Sequence, residues 1–70
     1  PAYVPLELSS IKRGDYLVHR DYGVGVCLGL VLKEDGLSTQ ELLSIKYNDG
    51  GVISIDTGSL DLTAFFAPAA

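Results

Sequence analysis

The side chains in this sequence that could do chemistry are one histidine, one cysteine and a set of scattered carboxylates. His19 is the only candidate general base, and it lies beside Arg20 and Asp21 at the end of a predicted strand. Acid–base or nucleophilic catalysis would need His19 to activate a serine or cysteine in a recognisable nucleophile motif. Because the sequence has no such motif, we favour a structural or surface histidine and predict no catalytic residue.

Cys27 lies in an apolar segment without an activating neighbour, which indicates an inert small side chain. A single cysteine excludes an internal disulfide, and one cysteine with one histidine cannot complete a structural zinc site. The run G-V-G-V-C-L-G from Gly23 is similar to a phosphate-binding glycine motif, but the helix that such a motif requires does not follow. The sequence therefore predicts neither a metal site nor a cofactor site.

Two further groups of residues have a plain structural explanation. The acidic residues occur mostly in predicted turns, where aspartate hydrogen-bonds its own backbone. The aromatic residues could build a cage for a methylated cation, but packing of Tyr16 and Tyr47 in the core and of Tyr22 on a loop is favoured. The full aromatic set is Tyr3, Tyr16, Tyr22, Tyr47, Phe65 and Phe66.

Length and charge narrow the choice of function. Seventy residues make one small domain, and 47% of them are hydrophobic, which is typical of a globular chain. Five Lys and Arg residues against nine Asp and Glu give a net charge of -4, which disfavours nucleic acid as the direct partner. No apolar run approaches membrane length. Because the chain begins with Pro1, we expect it to be part of a larger protein.

The elements that position these residues are short strands separated by glycine-rich turns. The predicted strands are Tyr16 to His19, Val24 to Lys33, Glu41 to Tyr47, Val52 to Asp56 and a short one around Leu60 to Leu62. In the second of these strands, Val24, Val26, Leu28, Leu30 and Leu32 form an aliphatic row that predicts the core face.

Five short strands without a credible long helix predict an all-β fold, a small five-stranded antiparallel barrel of the SH3-like or Tudor-like type. We assign residues 1–10 to an extended N-terminal arm, 11–65 to the barrel and 66–70 to a C-terminal linker. The tail from Thr63 could begin a helix or a linker, and Pro68 would discourage its continuation.

A modest apolar and cationic surface is predicted on two neighbouring strands of this acidic domain. Its residues are Val31, Lys33, Leu42, Ser44 and Lys46. An edge strand in a small barrel can accept a partner strand, so this surface is our candidate protein-binding site. An ordinary mixed solvent face would show the same pattern, and the pattern alone leaves both interpretations open.

The run R-G-D-Y-L-V-H-R-D-Y-G-V-G from Arg13 to Gly25, with L-L-S-I-K-Y from Leu42 and L-D-L from Leu60, resembles the CarD-like RNA polymerase interaction domain. The resemblance spans about Ile11 to Leu62 and is closest to the branch found in bacterial transcription-repair coupling factors. It implies binding to the β subunit of RNA polymerase by strand-to-strand contact, with Val31 and Lys33 as contact residues.

The resemblance also implies a non-catalytic module in a bacterial, cytoplasmic protein of DNA repair, whose other domains form an ATP-dependent DNA translocase. We expect a monomer in isolation that contacts neither nucleic acid nor membrane. Two alternatives stay open: the domain of a stand-alone CarD-type transcription regulator, and a nucleic-acid-binding SH3-like barrel. The sequence departs from the family pattern after L-D-L, where it reads T-A-F-F-A-P-A-A.

Overall fold

A computed structural model of the chain describes residues 2–68 as one antiparallel sheet with two single-turn 3₁₀ helices. Its strands are β1 (Tyr3–Pro5), β2 (Tyr16–His19), β3 (Gly23–Asp35), β4 (Ser38–Tyr47), β5 (Val52–Asp56) and β6 (Phe65–Pro68). The 3₁₀ turns are Leu8–Ser10 and Leu62–Ala64. The strand order across the sheet is β1-β6-β2-β3-β4-β5. None of the helices in these residues is long and apolar enough to cross a membrane.

The sheet confirms the all-β antiparallel prediction but not a five-stranded barrel. It has six strands and is open, because β1 and β5 lie at opposite edges and do not pair with each other. The strand predicted around Leu60 to Leu62 is wrong. Leu62 instead begins a 3₁₀ turn whose Asp61 carboxylate accepts a hydrogen bond from the Thr63 N–H at 3.0 Å, and the last strand starts at Phe65.

The two ends of the described chain pair with each other. In the tail, where a helix or linker was predicted, β6 instead pairs with both β1 and β2. Pro5 is tolerated in β1 because this strand lies at an edge and needs hydrogen bonds on one side only. Pro1 of the predicted arm, and Ala69 and Ala70 of the predicted linker, lie outside the described residues. The division into arm, barrel and linker stays a prediction.

The core lies on one face of the sheet, which we call the inner face. Its buried residues are Leu6, Leu17, Cys27, Leu43, Ile45, Ala64 and Phe65. Leu43 and Ile45 of β4 belong to this cluster, and Ile53 and Ile55 of β5 pack against it. The prediction for Tyr16 is wrong, because its side chain is 60% exposed.

In the first part of β3 the predicted core face is wrong, and none of the five residues of its aliphatic row is fully buried. Val24 and Leu32 are 54% and 68% exposed, whereas Cys27, from the opposite set, is fully buried. The side chain of Ile45 on β4 explains why Gly25 and Cys27 occupy the inner face, because it packs closely against β3 and leaves room only for small residues there. A Cβ atom on Gly25 would lie only 2.5 Å from Ile45 Cγ2, so glycine lets Ile45 pack directly over the β3 backbone.

Phe65 tests this description of the core, because it is almost fully buried while its neighbour Phe66 is only half-buried. Phe65→Ala should lower the free energy of unfolding by about 3–5 kcal/mol, since it removes a large core side chain. Phe66→Ala is the matched control and should cost clearly less. Urea unfolding followed by circular dichroism measures both, and equal losses would contradict the assignment of the inner face.

Candidate functional site

Strand β3 has two different environments along its length. Its first part, Gly23–Val26, pairs with β2 on one flank, and Gly25 and Val26 also pair with β4 on the other. The pairing with the β2 side ends at Cys27, whose N–H donates to Asp15 O and whose carbonyl accepts from Gly14 N, both at 2.8 Å. Beyond Cys27, β3 pairs with β4 alone. The strand therefore changes from a central strand to an edge strand at this point.

A β-bulge marks the change. Cys27 lies opposite Ile45, but the next pair in the ladder is Gly29 with Ser44, so Leu28 is an extra residue. Gly29 has a φ of 117°, a conformation that residues with a side chain rarely adopt. Bulges bend a strand and increase its twist. The part of the hairpin beyond the bulge, residues 29–42, is called the hairpin arm below.

The far end of the hairpin arm is a two-residue turn. Asp35 pairs with Ser38, and Gly36 between them has a φ of 62°, as the first central residue of a type II′ turn requires. The Ser38 hydroxyl donates to Asp35 O at 3.1 Å across the turn. The turn fixes the register of the arm: Lys33 lies opposite Gln40.

The direction of the main-chain groups in the hairpin arm follows from the hydrogen bonds of β4. Glu41 O accepts from Thr57 N at 2.9 Å, so the main chain of Glu41 faces away from β3. Main-chain groups alternate between the two flanks of an antiparallel strand. Gln40 and Leu42 therefore face β3. Their partners, Lys33 and Val31, use their own main-chain groups to bond β4.

The intervening residues, Leu30, Leu32 and Glu34, turn their N–H and C=O groups away from β4. We call the row formed by these groups the open flank. No other strand in residues 2–68 lies along it. The leucines beside it are 39% and 68% exposed. An edge with unpaired main-chain groups and exposed leucines is a template for a partner strand.

The five predicted site residues lie on the face opposite the core, the outer face, of β3 and β4. Val31 pairs directly with Leu42, and the remaining three continue the same row of alternate positions. Val31, Lys33 and Lys46 are exposed, and Leu42 and Ser44 are half-buried. The Ser44 hydroxyl is 3.0 Å from that of Ser54, so Ser44 bonds within the sheet. Whether these five residues bind a partner stays a prediction.

The sequence pattern predicted an edge strand here but not which of its main-chain groups are free. The predicted strands Val24 to Lys33 and Glu41 to Tyr47 leave the residues between them unpaired, so they do not specify which residues lie opposite each other. A two-residue turn at Gly36 and Leu37, with pairing from Asp35 and Ser38 onward, would have identified the alternate residues whose main chain is free. The side chains of Val31 and Lys33 still flank this edge on the outer face.

The candidate catalytic groups have structural roles. His19 Nδ1 accepts from the N–H groups of Asp21 and Tyr22 at 3.0 and 3.1 Å. The ring stacks on Tyr22 and meets Phe65 edge-on, with ring centroids 4.4 and 4.5 Å apart. Several carboxylates cap their own turns: Asp49 accepts from Gly51 N, and Asp56 from Gly58 N. In the described residues, no three His, Cys, Asp or Glu side chains form a group able to hold a metal ion.

Two further polar groups are enclosed by packing. Burial raises the pKa of the Cys27 thiol, opposed by the nearby Gly29 N–H and reinforced by the Asp15 carboxylate. Burial likewise raises the pKa of Tyr47, whose hydroxyl is enclosed without a hydrogen-bond partner among the described residues. Tyr47 packs against the core and Tyr22 lies on its loop, as predicted.

An open antiparallel sheet with an exposed strand flank has main-chain groups to which a further strand could bond. A comparison with protein families finds the CarD-like/TRCF RID domain over residues 11–64. The chain belongs to this family of RNA polymerase interaction domains, which are non-catalytic. No curated protein matches the chain.

Proline substitutions test the direction of the main-chain groups. Leu32→Pro removes an N–H of the open flank, whereas Lys33→Pro removes one that bonds β4. Proline restricts φ in both variants, but only Lys33→Pro should lose a ladder hydrogen bond and so be less stable by about a further 1 kcal/mol. Urea unfolding measures the difference in stability. If Leu32→Pro were the less stable variant, the main-chain groups of Leu32 would not belong to the open flank.

Cys27 provides a chemical test of its burial. A fully buried thiol with a raised pKa presents little thiolate to a disulfide reagent at neutral pH. We expect its labelling to be slow in buffer and complete in urea, with a rate that follows unfolding of the sheet. Fast labelling of the folded chain would show that the junction between β2 and β3 opens locally.

Proposed function

We propose that this chain binds the β subunit of bacterial RNA polymerase by adding a strand of that subunit to the open flank of β3. The observation that carries the proposal is the unpaired edge at Leu30, Leu32 and Glu34, on a chain that belongs to a family of RNA polymerase interaction domains. Main-chain hydrogen bonds would supply affinity. Side chains on either face of the edge would supply selectivity.

The side chains beside the open flank describe the partner strand. Leu30 and Leu32 project on the inner face, and Val31 and Lys33 project on the outer face. A complementary strand presents apolar residues to the leucines and a polar or acidic residue to Lys33. Burial of the exposed leucines would contribute to binding, since each removes apolar surface from water.

The hairpin arm is held in place by bonds to the rest of the sheet. Gln40 Nε2 donates to Asp56 Oδ2 at 3.1 Å, and the Thr57 hydroxyl donates to Glu41 Oε1 at 3.0 Å. These side-chain bonds connect the arm to β5 and to the turn after it. An edge that is already ordered loses less conformational freedom on binding. The arm is therefore a suitable rigid template for a partner strand.

The wider role follows from the family. We propose that the parent protein is a cytoplasmic transcription-repair coupling factor, in which this module tethers a DNA translocase to stalled polymerase. The module would only keep the translocase attached to the polymerase, since force is generated in other domains. Several main-chain hydrogen bonds loaded together suit that task. A stand-alone CarD-type regulator would use the same contact, and the sequence that flanks this domain in the gene distinguishes the two.

Lys33→Glu tests the contact through its side chain. We expect it to weaken capture of an isolated β-subunit protrusion, because it reverses the charge beside the open flank, while the melting temperature stays nearly unchanged. Arg20→Glu is the charge-matched control. Arg20 is exposed and follows the end of β2 that lies farther from the hairpin arm. Biolayer interferometry measures both. Equal capture by wild type and Lys33→Glu would remove the outer-face side chains from the proposed contact.

Salt dependence separates this proposal from direct binding of nucleic acid. Phosphate neutralisation makes binding to DNA or RNA fall steeply with added salt. Binding to the β subunit by main-chain bonds and leucine burial should fall only slightly over the same range. Fluorescence anisotropy with labelled duplex DNA and with the labelled β fragment compares the two. Salt-sensitive binding to DNA, with none to the β fragment, would favour the nucleic-acid alternative.

A further inference from the structure

The register of the β3–β4 hairpin differs by one residue between its two ends. At the base, Gly25 pairs with Tyr47 and Cys27 with Ile45; at the far end, Asp35 pairs with Ser38. A regular ladder cannot satisfy both ends, and the extra residue Leu28 absorbs the difference. Leu28 is followed by Gly29, the third glycine of the G-V-G-V-C-L-G run. Because this run does not bind phosphate in a strand, the role of Gly29 needs another explanation.

The bulge decides which main-chain groups reach the open flank. On the base side, Cys27 faces away from β4 and bonds Asp15 and Gly14. Continued alternation without a bulge would turn the odd-numbered residues outward, including Val31 and Lys33. The extra residue instead turns Leu30, Leu32 and Glu34 outward. It also exchanges the faces on which the side chains of the hairpin arm project.

Gly29 makes this geometry possible. Its φ of 117° is costly for a residue with a side chain. A Cβ atom built there would meet nothing within 4 Å, so the constraint is the backbone conformation and not space. On the basis of the proposed function, we propose that Gly29 is a positioning residue for RNA polymerase, which acts through the bulge to direct Leu30, Leu32 and Glu34 toward the incoming strand.

The test compares alanine variants at two glycines with positive φ, 117° at Gly29 and 87° at Gly50. Gly29→Ala and Gly50→Ala both place a side chain in the left-handed region, and neither Cβ would meet an atom within 4 Å. Gly50 lies in the turn between β4 and β5, away from the hairpin arm. We expect Gly29→Ala to lower affinity for purified core RNA polymerase by about tenfold or more. Gly50→Ala should stay within about twofold of wild type, with a similar loss of thermal stability.

Deletion of Leu28 is a second variant, which removes the extra residue while leaving the turn at Gly36 intact. We expect it also to lower polymerase affinity by about tenfold, since it removes the bend that directs the arm. Circular dichroism establishes that each variant keeps its sheet. If both Gly29→Ala and the deletion bind like wild type, the positioning role is overturned. Equal losses for Gly29→Ala and Gly50→Ala would overturn it as well.

Amide hydrogen exchange separates this inference from the proposed function, because it needs no polymerase. In wild type, the amides of Leu30, Leu32 and Glu34 should exchange fast, and those of Val31 and Lys33 slowly. Gly29→Ala should disturb this alternation, and Gly50→Ala should preserve it. The opposite alternation in wild type would overturn the inference alone. Correct alternation without any binding of wild type to polymerase would overturn the proposed function, and the positioning role with it.

Discussion

The structure depends on one strand that must satisfy two environments. At its start, β3 is a central strand, with β2 and β4 on its flanks and Cys27 fully buried. A few residues later it is an edge strand in a projecting hairpin. Because side-chain direction alternates strictly along a strand, the two parts can meet their different requirements only if the alternation is interrupted between them. The bulge at Leu28 and Gly29 is that interruption. The long β3–β4 hairpin accompanies an elongated shape, with extents of 43 × 25 × 20 Å.

An unpaired strand edge is ordinarily a hazard, since it can pair with any other exposed strand. Here the hazard is limited by what surrounds the open flank. Lys33, Glu34 and Asp35 place charges close to it, and the arm ends after only a few residues in a tight turn. Leu32 nevertheless remains more than half exposed. A short, partly charged edge with an exposed leucine fits specific docking better than general self-association.

Some elements were predictable from local pattern because local interactions determine them. The strand Tyr16–His19 was predicted with its observed bounds, as was Val52–Asp56. Turn aspartates were also identified, since an Asx turn involves residues only two apart. The family was recognised from motif spacing, which does not require knowledge of strand phase. At the start of β3 the same methods assigned the wrong face, because alternation in an apolar strand cannot reveal a one-residue insertion.

Composition and strand pattern determined that this is a small, acidic, all-β domain, and the resemblance of its motifs identified the family of RNA polymerase interaction domains. Tertiary structure decided which face of β3 is buried, that the sheet stays open, and that the chain ends supply β1 and β6. Each of these depends on contacts between residues far apart in sequence: Ile45 over Gly25, Phe65 beside His19, and Val4 opposite Ala67. Such contacts have no local signature, since the strands that make them are compatible with either face until their neighbours are in place.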